Sequence, residues 1–379
     1  MIITLAFANG FQEQVGKKVF SFWGHIRVQE KQPFKALIAE EIPIVRNDTI
    51  VQAIRQNPEV RDIHSFATKY AILKTKDEMQ GVMLKGVDSS YNFEYFRQFM
   101  KEGRPIQFRD SSISDEIIIS AYTANQLHLK VNDRVLIYFV RHDYETGENN
   151  IRPRKLTISG IYKTGIEDYD KLFAIGDIKL IQRLNDWGDD FIGGYEIFVK
   201  DYSKINEVSH EIYNMDGFPA TWESQSVQRI APNIFDWLNM QDVTRNVLIS
   251  FMVGVAVVNL ITCLLILVLE RIQMIGTLKA LGASNWTVQG VFLWQSLMIT
   301  ITGIVIGAAL ALGILFLQTQ TGFIKLKEEA YYLSEAAVKI VWWEVGVVCL
   351  GTLVVCFLIL MIPSILVRKI QPVKAIQFR

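Results

Sequence analysis

Three long runs of uncharged, mainly apolar residues constrain this chain more than any other feature of its sequence. They cover residues 248–269, 291–316 and 345–367. A helix of about 20 apolar residues is long enough to cross the roughly 30 Å hydrocarbon layer of a bilayer. The sequence therefore predicts three transmembrane helices in the last third of the chain.

The charged residues between and after these runs indicate how the chain is oriented. Residues 270–290 carry Arg271 and Lys279 against one acid, and residues 368–379 carry four basic residues and no acid. Basic residues accumulate in short cytoplasmic loops, so both segments are predicted to be cytoplasmic. Residues 318–344 balance three lysines with four glutamates and are predicted to lie outside. Trp342, Trp343, Tyr331 and Tyr332 are expected to mark the outer membrane interface.

This orientation places the polar N-terminal part of the chain outside the membrane as well. We expect an α-helical transmembrane bundle, with three full spans and the remnant of a first one, that carries a large mixed α/β extracytoplasmic domain. The predicted division is 1–21 (remnant of a first transmembrane helix), 22–245 (extracytoplasmic, periplasmic domain), 246–269 (transmembrane helix), 270–290 (cytoplasmic helix and loop), 291–317 (transmembrane helix), 318–344 (periplasmic loop), 345–367 (transmembrane helix) and 368–379 (cytoplasmic tail).

The apolar start of the chain is too short to cross a membrane alone. Residues 1–11 read MIITLAFANGF, without the basic flank that begins a secretory signal. We expect them to be the outer half of a first transmembrane helix whose beginning precedes Met1.

The N-terminal domain alternates short β-patterned runs with helical stretches, which is typical of a mixed α/β or α+β fold. Predicted strands are 25–29, 82–87, 116–119, 134–140, 155–162 and 196–199, and predicted helices are 49–56, 120–127, 175–184 and 205–213. Residues 141–154 (RHDYETGENNIRPR) form a polar, turn-rich stretch between two β runs. The pattern fits an extended hairpin, and equally a solvated loop without a partner.

The segment after the first apolar run, 270–283, reads ERIQMIGTLKALGA. Ile272, Ile275, Leu278 and Leu281 recur at roughly helical spacing, which predicts a short amphipathic helix. Gly282 suits the end of that helix because glycine readily adopts positive φ. These residues alone fit a helix lying on the lipid headgroups as well as a surface for a protein partner.

Several kinds of chemistry lack their sequence signals. The five histidines show no metal-ligand spacing, the three cysteines lie in the apolar runs, and no phosphate-binding G-x-x-x-x-G-K-[ST] loop is present. The zero net charge argues against nucleic acid as a partner. We expect a non-enzymatic membrane subunit without a cofactor of its own.

The E-x-x-x-x-I-G-x-L-K-A-L-G-A pattern at 270–283 resembles the ATPase-coupling segment of permeases of the lipoprotein-releasing, macrolide-exporting and division-associated ABC transporters. The resemblance covers nearly the whole chain, and the lipoprotein-releasing branch fits best. The matching segments are NGF at 9–11, LKGVD at 84–88, 117–136, ISGIY at 158–162 with EDYD at 167–170, NLIT at 259–262, YYL at 331–333 and QPVKAI at 371–376.

That resemblance implies a permease in the bacterial inner membrane that extracts lipoproteins for a periplasmic carrier. The implied partners are a cytoplasmic ATPase that binds ATP and Mg²⁺, a second permease copy or a paralogue, the lipoprotein, the carrier and membrane lipid. The 141–154 stretch falls where that branch has its carrier-recruiting hook, with Pro153 and Arg154 as candidate contacts. The implied ATPase-coupling residues are Glu270, Arg271, Ile275, Gly276, Leu278, Lys279, Ala280, Leu281 and Gly282.

Two alternatives within the wider family remain. A macrolide-type efflux permease would share the fold and the coupling segment. A division-type signal transducer would control a cell-wall hydrolase, although its outer domain is usually much smaller than the one predicted here.

Overall fold

The computed structural model describes residues 1–32, 41–109, 112–142, 149–270 and 272–369, and the chain divides into two compact units. The first, called the outer domain after its predicted location, comprises Val15–Phe235 and Lys327–Ser334. The second, the helical unit, comprises Met1–Gln14, Asp236–Leu326 and Glu335–Arg379.

The strands all lie in the outer domain. In chain order they are β1 (Ile26–Glu30), β2 (Ile44–Val45), β3 (Val60–Lys74), β4 (Met79–Val87), β5 (Met100–Gly103), β6 (Glu116–Ser120), β7 (Arg134–His142), β8 (Asn149–Tyr162), β9 (Phe173–Asp177), β10 (Phe191–Ile192), β11 (Gly194–Val199) and β12 (Trp222–Ser226).

The helices fall in both units. They are α1 (Ile2–Trp23), α2 (Asp48–Gln56), α3 (Glu94–Arg97), α4 (Ala121–Gln126), α5 (Glu167–Leu172), α6 (Ile178–Leu184), α7 (Ile205–Tyr213), α8 (Val227–Ile230), α9 (Pro232–Glu270), α10 (Ile272–Ala280), α11 (Asn285–Thr321), α12 (Glu328–Tyr331) and α13 (Trp342–Lys369).

One large mixed sheet organises the outer domain. Its strand order is β12-β1-β11-β3-β4-β9-β6-β8-β5, and β7 pairs with both β3 and β8. The β4–β9 and β6–β8 pairs are parallel, whereas the other pairs of this sheet are antiparallel. Strands β2 and β10 form a separate two-stranded antiparallel sheet. The predicted mixed α/β class is therefore correct.

Local sequence signals explain several of these boundaries. Asn47 caps α2 by accepting the Ile50 N–H at 3.2 Å, and Ser120 caps α4 by accepting the Thr123 N–H at 3.0 Å. Such side-chain acceptors satisfy amide groups that the first helical turn leaves unpaired. Residues 117–120 of β6 (IIIS) are all buried and lack polar alternation because this strand lies inside the sheet.

The helix predicted at 175–184 is wrong in its first three residues. Phe173–Asp177 forms the buried strand β9, parallel to β4, and α6 begins only at Ile178. The Asp177 carboxylate accepts the Lys179 N–H at 2.9 Å and caps the helix. An apolar strand followed at once by a short helix reads as one continuous run in the sequence.

A segment from the C-terminal half of the chain belongs to the outer domain. Within Lys327–Ser334, the Glu328 carboxylate lies 2.5 Å from the Lys163 ammonium, and the Lys18 ammonium donates to the Tyr332 carbonyl. Leu333 is buried, and Tyr332 packs against the core of the outer domain. Tyr332 is therefore partly buried in the outer domain, and its place at the membrane interface stays a prediction.

The helical unit contains the most apolar helices. By length and composition, three helices within the described residues can cross a membrane: Pro232–Cys263, Leu297–Thr321 and Trp342–Ile359. Val257, Leu260 and Ile261 of α9 pack with Val355 around Ile359 of α13. Trp342 and Trp343, at the start of α13, are largely exposed.

Candidate functional site

The predicted coupling segment is helical on both sides of residue 271. α10 spans Ile272–Ala280, between the end of α9 at Glu270 and the start of α11 at Asn285. The helix contains Ile275, Gly276, Leu278, Lys279 and Ala280 of the predicted set. Arg271 lies outside the described residues.

Glycine ends this helix in the predicted way. Gly282 has φ of +91°, the Leu281 N–H donates to the Thr277 carbonyl at 3.0 Å, and the Ala283 N–H donates to the Leu278 carbonyl at 3.0 Å. The last bond is the 6→1 hydrogen bond of a Schellman motif, in which the residue at the glycine position has positive φ. The prediction made for Gly282 is confirmed.

The turn that follows is short and well bonded. The Ser284 hydroxyl accepts the Thr287 N–H at 3.1 Å and caps α11. Only Leu281–Ser284 therefore separate α10 from α11.

Apolar side chains near α10 are left uncovered by the described chain. Leu281 is 85% exposed and Trp286 is 74% exposed, and Met274 is also exposed. Exposed apolar groups of this size mark a surface that a partner or a lipid covers. Glu270 at the end of α9 is exposed as well and adds a carboxylate to this surface.

The strands on either side of residues 143–148 pair as the two arms of a hairpin. β7 and β8 pair antiparallel from Arg134 opposite Thr157 to His142 opposite Asn149. Strand β3 also pairs with β7, but no further than Phe139. Residues 140–142 and 149–151 thus pair only with each other among the described strands, and residues 143–148, at the predicted tip, lie outside the described residues.

Both hook candidates lie on β8 near the base of this hairpin. Pro153 is opposite Tyr138 and Arg154 is opposite Ile137, and both candidate side chains are exposed. The Arg154 guanidinium donates to the Pro153 carbonyl at 3.0 Å. Neighbouring Arg152 lies 3.4 Å from Asp186.

A third candidate site lies on α9 and was not named from the sequence. An open surface with about 930 Å³ of space along it runs down one side of this helix. Its lining consists of Val243, Asn246, Val247, Ser250, Phe251, Gly254, Val255, Val258, Asn259 and Thr262. We call it the α9 groove. These residues recur at helical spacing, so the signal was present in the sequence but hidden within a uniformly apolar run.

The polar groups of the α9 groove are partly satisfied within the helix itself. The Ser250 hydroxyl donates to the Asn246 carbonyl at 2.9 Å, and the Thr262 hydroxyl donates to the Val258 carbonyl at 3.0 Å. Hydroxyls bonded in this way do not require water. The groove is therefore suited to an apolar occupant.

The N-L-I-T motif at 259–262 divides between two roles. Asn259 and Thr262 line the α9 groove, whereas Leu260 and Ile261 pack toward Ile359 of α13. The motif fixes the rotational position of α9, because one side is used for packing and the other faces the groove.

Comparisons with known proteins cover both units. Residues 1–213 match the family described as MacB-like periplasmic core domain, and residues 246–372 match the family described as FtsX-like permease C-terminal.

The relatives that match over almost the full length include two lipoprotein-releasing permeases. The chain is 20% identical over 391 residues to the lipoprotein-releasing system transmembrane protein LolC of Xylella fastidiosa strain 9a5c, which covers 100% of this chain and 90% of the relative. It is 21% identical over 399 residues to the lipoprotein-releasing system transmembrane protein LolE of Haemophilus influenzae, and this match covers 99% of this chain and 90% of the relative.

One solved structure with a similar region is the periplasmic region of MacB from Actinobacillus actinomycetemcomitans. It has a TM-score of 0.37 and 10% identity, and the match covers 55% of this chain and 91% of that one.

Proposed function

The chain belongs to the family that combines a MacB-like periplasmic core domain with an FtsX-like permease C-terminal segment, and from this premise we propose that it is the permease subunit of an ABC transporter that extracts lipoproteins from the inner membrane and transfers them to a periplasmic carrier. The observation that carries the proposal is the similarity to lipoprotein-releasing permeases over 100% of the chain. The α9 groove adds a surface of the right chemistry for a lipid anchor.

We assign the surface around α10 to a cytoplasmic ATPase subunit. ATP and Mg²⁺ bind to that partner, and this chain contributes no catalytic group. The exposed Leu281 and Met274 support a protein contact, and the short turn to α11 supports transmission of a displacement into the membrane helices. The residues assigned to this contact are Glu270, Arg271, Ile275, Gly276, Leu278, Lys279, Ala280, Leu281 and Gly282.

We assign the α9 groove to the acyl chains of the substrate. Moving an acyl chain out of the bilayer into water costs roughly 0.8 kcal/mol for each CH₂ group. A groove lined by Val247, Phe251, Val255 and Val258 keeps those groups out of water during extraction. ATP hydrolysis in the partner supplies the free energy that remains to be offset.

We assign the β7–β8 hairpin to recruitment of the periplasmic carrier. The hairpin arms extend beyond their last pairing with β3, and Pro153 and Arg154 are exposed at its base. An exposed pair of strand ends is a common way to present a binding surface. A second permease copy or a paralogue completes the transporter.

We also propose that the apolar start of α1 lies in the membrane as the outer part of a first span. In a cysteine-free background, Ala8→Cys should resist a membrane-impermeant maleimide, whereas Lys17→Cys should react with it. Equal reaction at both positions would contradict this placement.

The overall function is tested by depleting the protein in cells and fractionating the membranes. Lipoproteins should accumulate in the inner membrane, and normal outer-membrane delivery after depletion would refute the proposal. Leu278→Asp should then fail to restore delivery while the ATPase still hydrolyses ATP, and Leu278→Met should restore it. Delivery by Leu278→Asp at the wild-type level would remove the role assigned to α10.

A further inference from the structure

Three consecutive residues of α1 contact three different segments of the helical unit. The Asn9 amide donates to the Glu344 carboxylate of α13 at 2.6 Å. Gly10 lies against the backbone of Ala337 and Val338. The Phe11 ring meets the Trp237 ring of α9 edge-on, with centroids 5.3 Å apart. We call these contacts the N-G-F junction.

Gly10 is required by the close approach of another backbone. A Cβ atom added at this position would lie 2.8 Å from the Val338 nitrogen and still closer to the Ala337 carbonyl oxygen. Backbone atoms cannot rotate away as the end of a side chain does. Glycine in a helix interior lowers helix stability by about 1 kcal/mol relative to alanine. The close contact explains why glycine is nevertheless found here, because any other residue would clash with the backbone at 337–338.

Further bonds extend this contact along α1. The Lys339 N–H donates to the Ala6 carbonyl at 3.0 Å, and the Lys339 ammonium lies 2.8 Å from the Glu13 carboxylate. The backbone at 337–339 therefore follows α1 for about one helical turn, from Gly10 to Ala6, and the Lys339 side chain reaches back to Glu13. Because Glu344 is in the first turn of α13, the segment that leads into α13 is attached to α1 immediately before that helix begins.

The contact at Gly10 cannot form at another position along α1. A slide of α1 by one helical turn would bring a residue three or four positions away opposite Ala337. Those residues are Ala6, Phe7, Glu13 and Gln14, and each carries a Cβ atom. The contact can be kept or broken, but it cannot step along the helix.

We propose that the N-G-F junction is a permanent joint that keeps α1 and the start of α13 together throughout the transport cycle, so that the lipid anchor does not pass between these two helices. The residues act by positioning the helices and do not bind the substrate. The proposal rests on the proposed function only for its transport readout, because the persistence of the joint is measured without substrate.

The experiment places cysteines at the two ends of the Asn9–Glu344 bond. Asn9→Cys and Glu344→Cys are combined in a chain whose native Cys263, Cys349 and Cys356 are replaced by alanine, in membranes with its ATPase partner. A short, reducible bis-methanethiosulfonate reagent links the two thiols. The yield of linked protein should be equal in the nucleotide-free and vanadate-trapped states. A yield that falls in either state would overturn the joint.

Transport supplies the second readout. The linked protein should release lipoprotein to the carrier with no loss, and loss of release that reduction restores would overturn the joint. If wild-type protein fails to release lipoprotein while the linking yield stays equal between the two states, the proposed function fails and the joint stands. Glu13→Cys with Lys339→Cys repeats the test at a more exposed pair, should the first pair fold poorly.

Gly10→Ala provides an independent test of the close backbone contact. It should lower the linking yield in both states, because the added methyl group displaces the backbone at 337–338. Gly346→Ala in α13 is the matched control, since an added Cβ there meets no atom within 4 Å. An unchanged yield with Gly10→Ala would contradict the close contact on which the joint depends.

Discussion

The Lys85 ammonium lies 2.6 Å from the Glu196 carboxylate, and both side chains are buried in the outer domain. Arg27 bonds the other carboxylate oxygen at 2.5 Å, and Lys85 also donates to the Phe22 carbonyl at 2.7 Å. One carboxylate thus bonds two buried cations at the end of α1, and the buried Glu41 carboxylate lies 3.7 Å from the Arg27 guanidinium as well.

Removal of the Glu196 charge should destabilise the outer domain strongly. Glu196→Gln leaves Arg27 and Lys85 without this counter-charge, and breaking a buried ion pair typically costs about 3–5 kcal/mol. Urea titration of the full chain in detergent, followed by pulse proteolysis, measures the free energy of unfolding. Glu116→Gln, which breaks the exposed pair with Arg104, should cost about 1 kcal/mol or less. Equal losses in the two variants would contradict the prediction.

Alkaline pH should stabilise the outer domain through Lys85. Burial lowers the pKa of the Lys85 ammonium from 10.5 to about 8. Between these values the unfolded chain holds more protons than the folded chain, so the free energy of unfolding rises with pH across this window. Lys85→Met should abolish that rise. The comparison is made at each pH between the two proteins, so that the titration of tyrosines cancels, and parallel curves would refute it.

Acid should destabilise the outer domain through His25. Its Nδ1 accepts the Val199 N–H at 2.9 Å, and burial lowers the pKa of the ring from 6.5 to about 4. The unfolded chain therefore takes up a proton first, and stability that is complete above pH 6.5 is lost as the pH falls toward 4. His25→Gln keeps an acceptor and should flatten this part of the stability curve. A slope equal to that of the wild type would show that His25 is not responsible.

Substitution of Gly282 should weaken the end of α10. A non-glycine residue in the left-handed region costs about 1–2 kcal/mol, and Gly282 has φ of +91°. Gly282→Ala should lower lipoprotein release relative to ATP hydrolysis, with both measured in nanodiscs that contain the ATPase. Gly290→Ala, where an added Cβ meets nothing within 4 Å, should leave the ratio unchanged. The same ratio in both variants would argue against a defined helix end.

Charge reversal should loosen Lys327–Ser334 from the outer domain. The Lys163–Glu328 pair is partly exposed and contributes about 1 kcal/mol or less, but Lys163→Glu replaces attraction by repulsion. Hydrogen exchange of a peptide covering 327–334 should become faster, and adding Glu328→Lys should restore protection. Lys171→Glu, which disrupts the pair with Glu167 and the contact of Lys171 with the Tyr122 ring, is the control. Failure of the double reversal to restore protection would refute a direct pairing.

Local signals account for the elements that were predictable. The helix predicted at 205–213 coincides with α7, and Gly282 ends α10 at positive φ. The two β runs on either side of 141–154 are also strands, although their residues alone fitted a hairpin and a solvated loop equally. In each case, neighbours within a few positions determine the structure.

Long-range contacts explain what the sequence did not reveal. Strand β3 lacks an alternating pattern because His64, Ser65, Thr68 and Lys69 are buried with its apolar residues. The Arg27–Glu196 and Lys85–Glu196 pairs join residues 169 and 111 positions apart. No local pattern marks such pairs, and the same applies to the approach of Ala337 to Gly10.

The buried cations at the end of α1 also determine how that helix can turn. Arg27 donates to the carbonyls of both Phe22 and Trp23, and Lys85 donates to the carbonyl of Phe22. These carbonyls point in directions set by the helix, so a rotation of the last turn about its own axis would break bonds to buried charged groups. The last turn of α1 and the strands β1 and β4, which carry Arg27 and Lys85, are therefore held together as one rigid part of the outer domain.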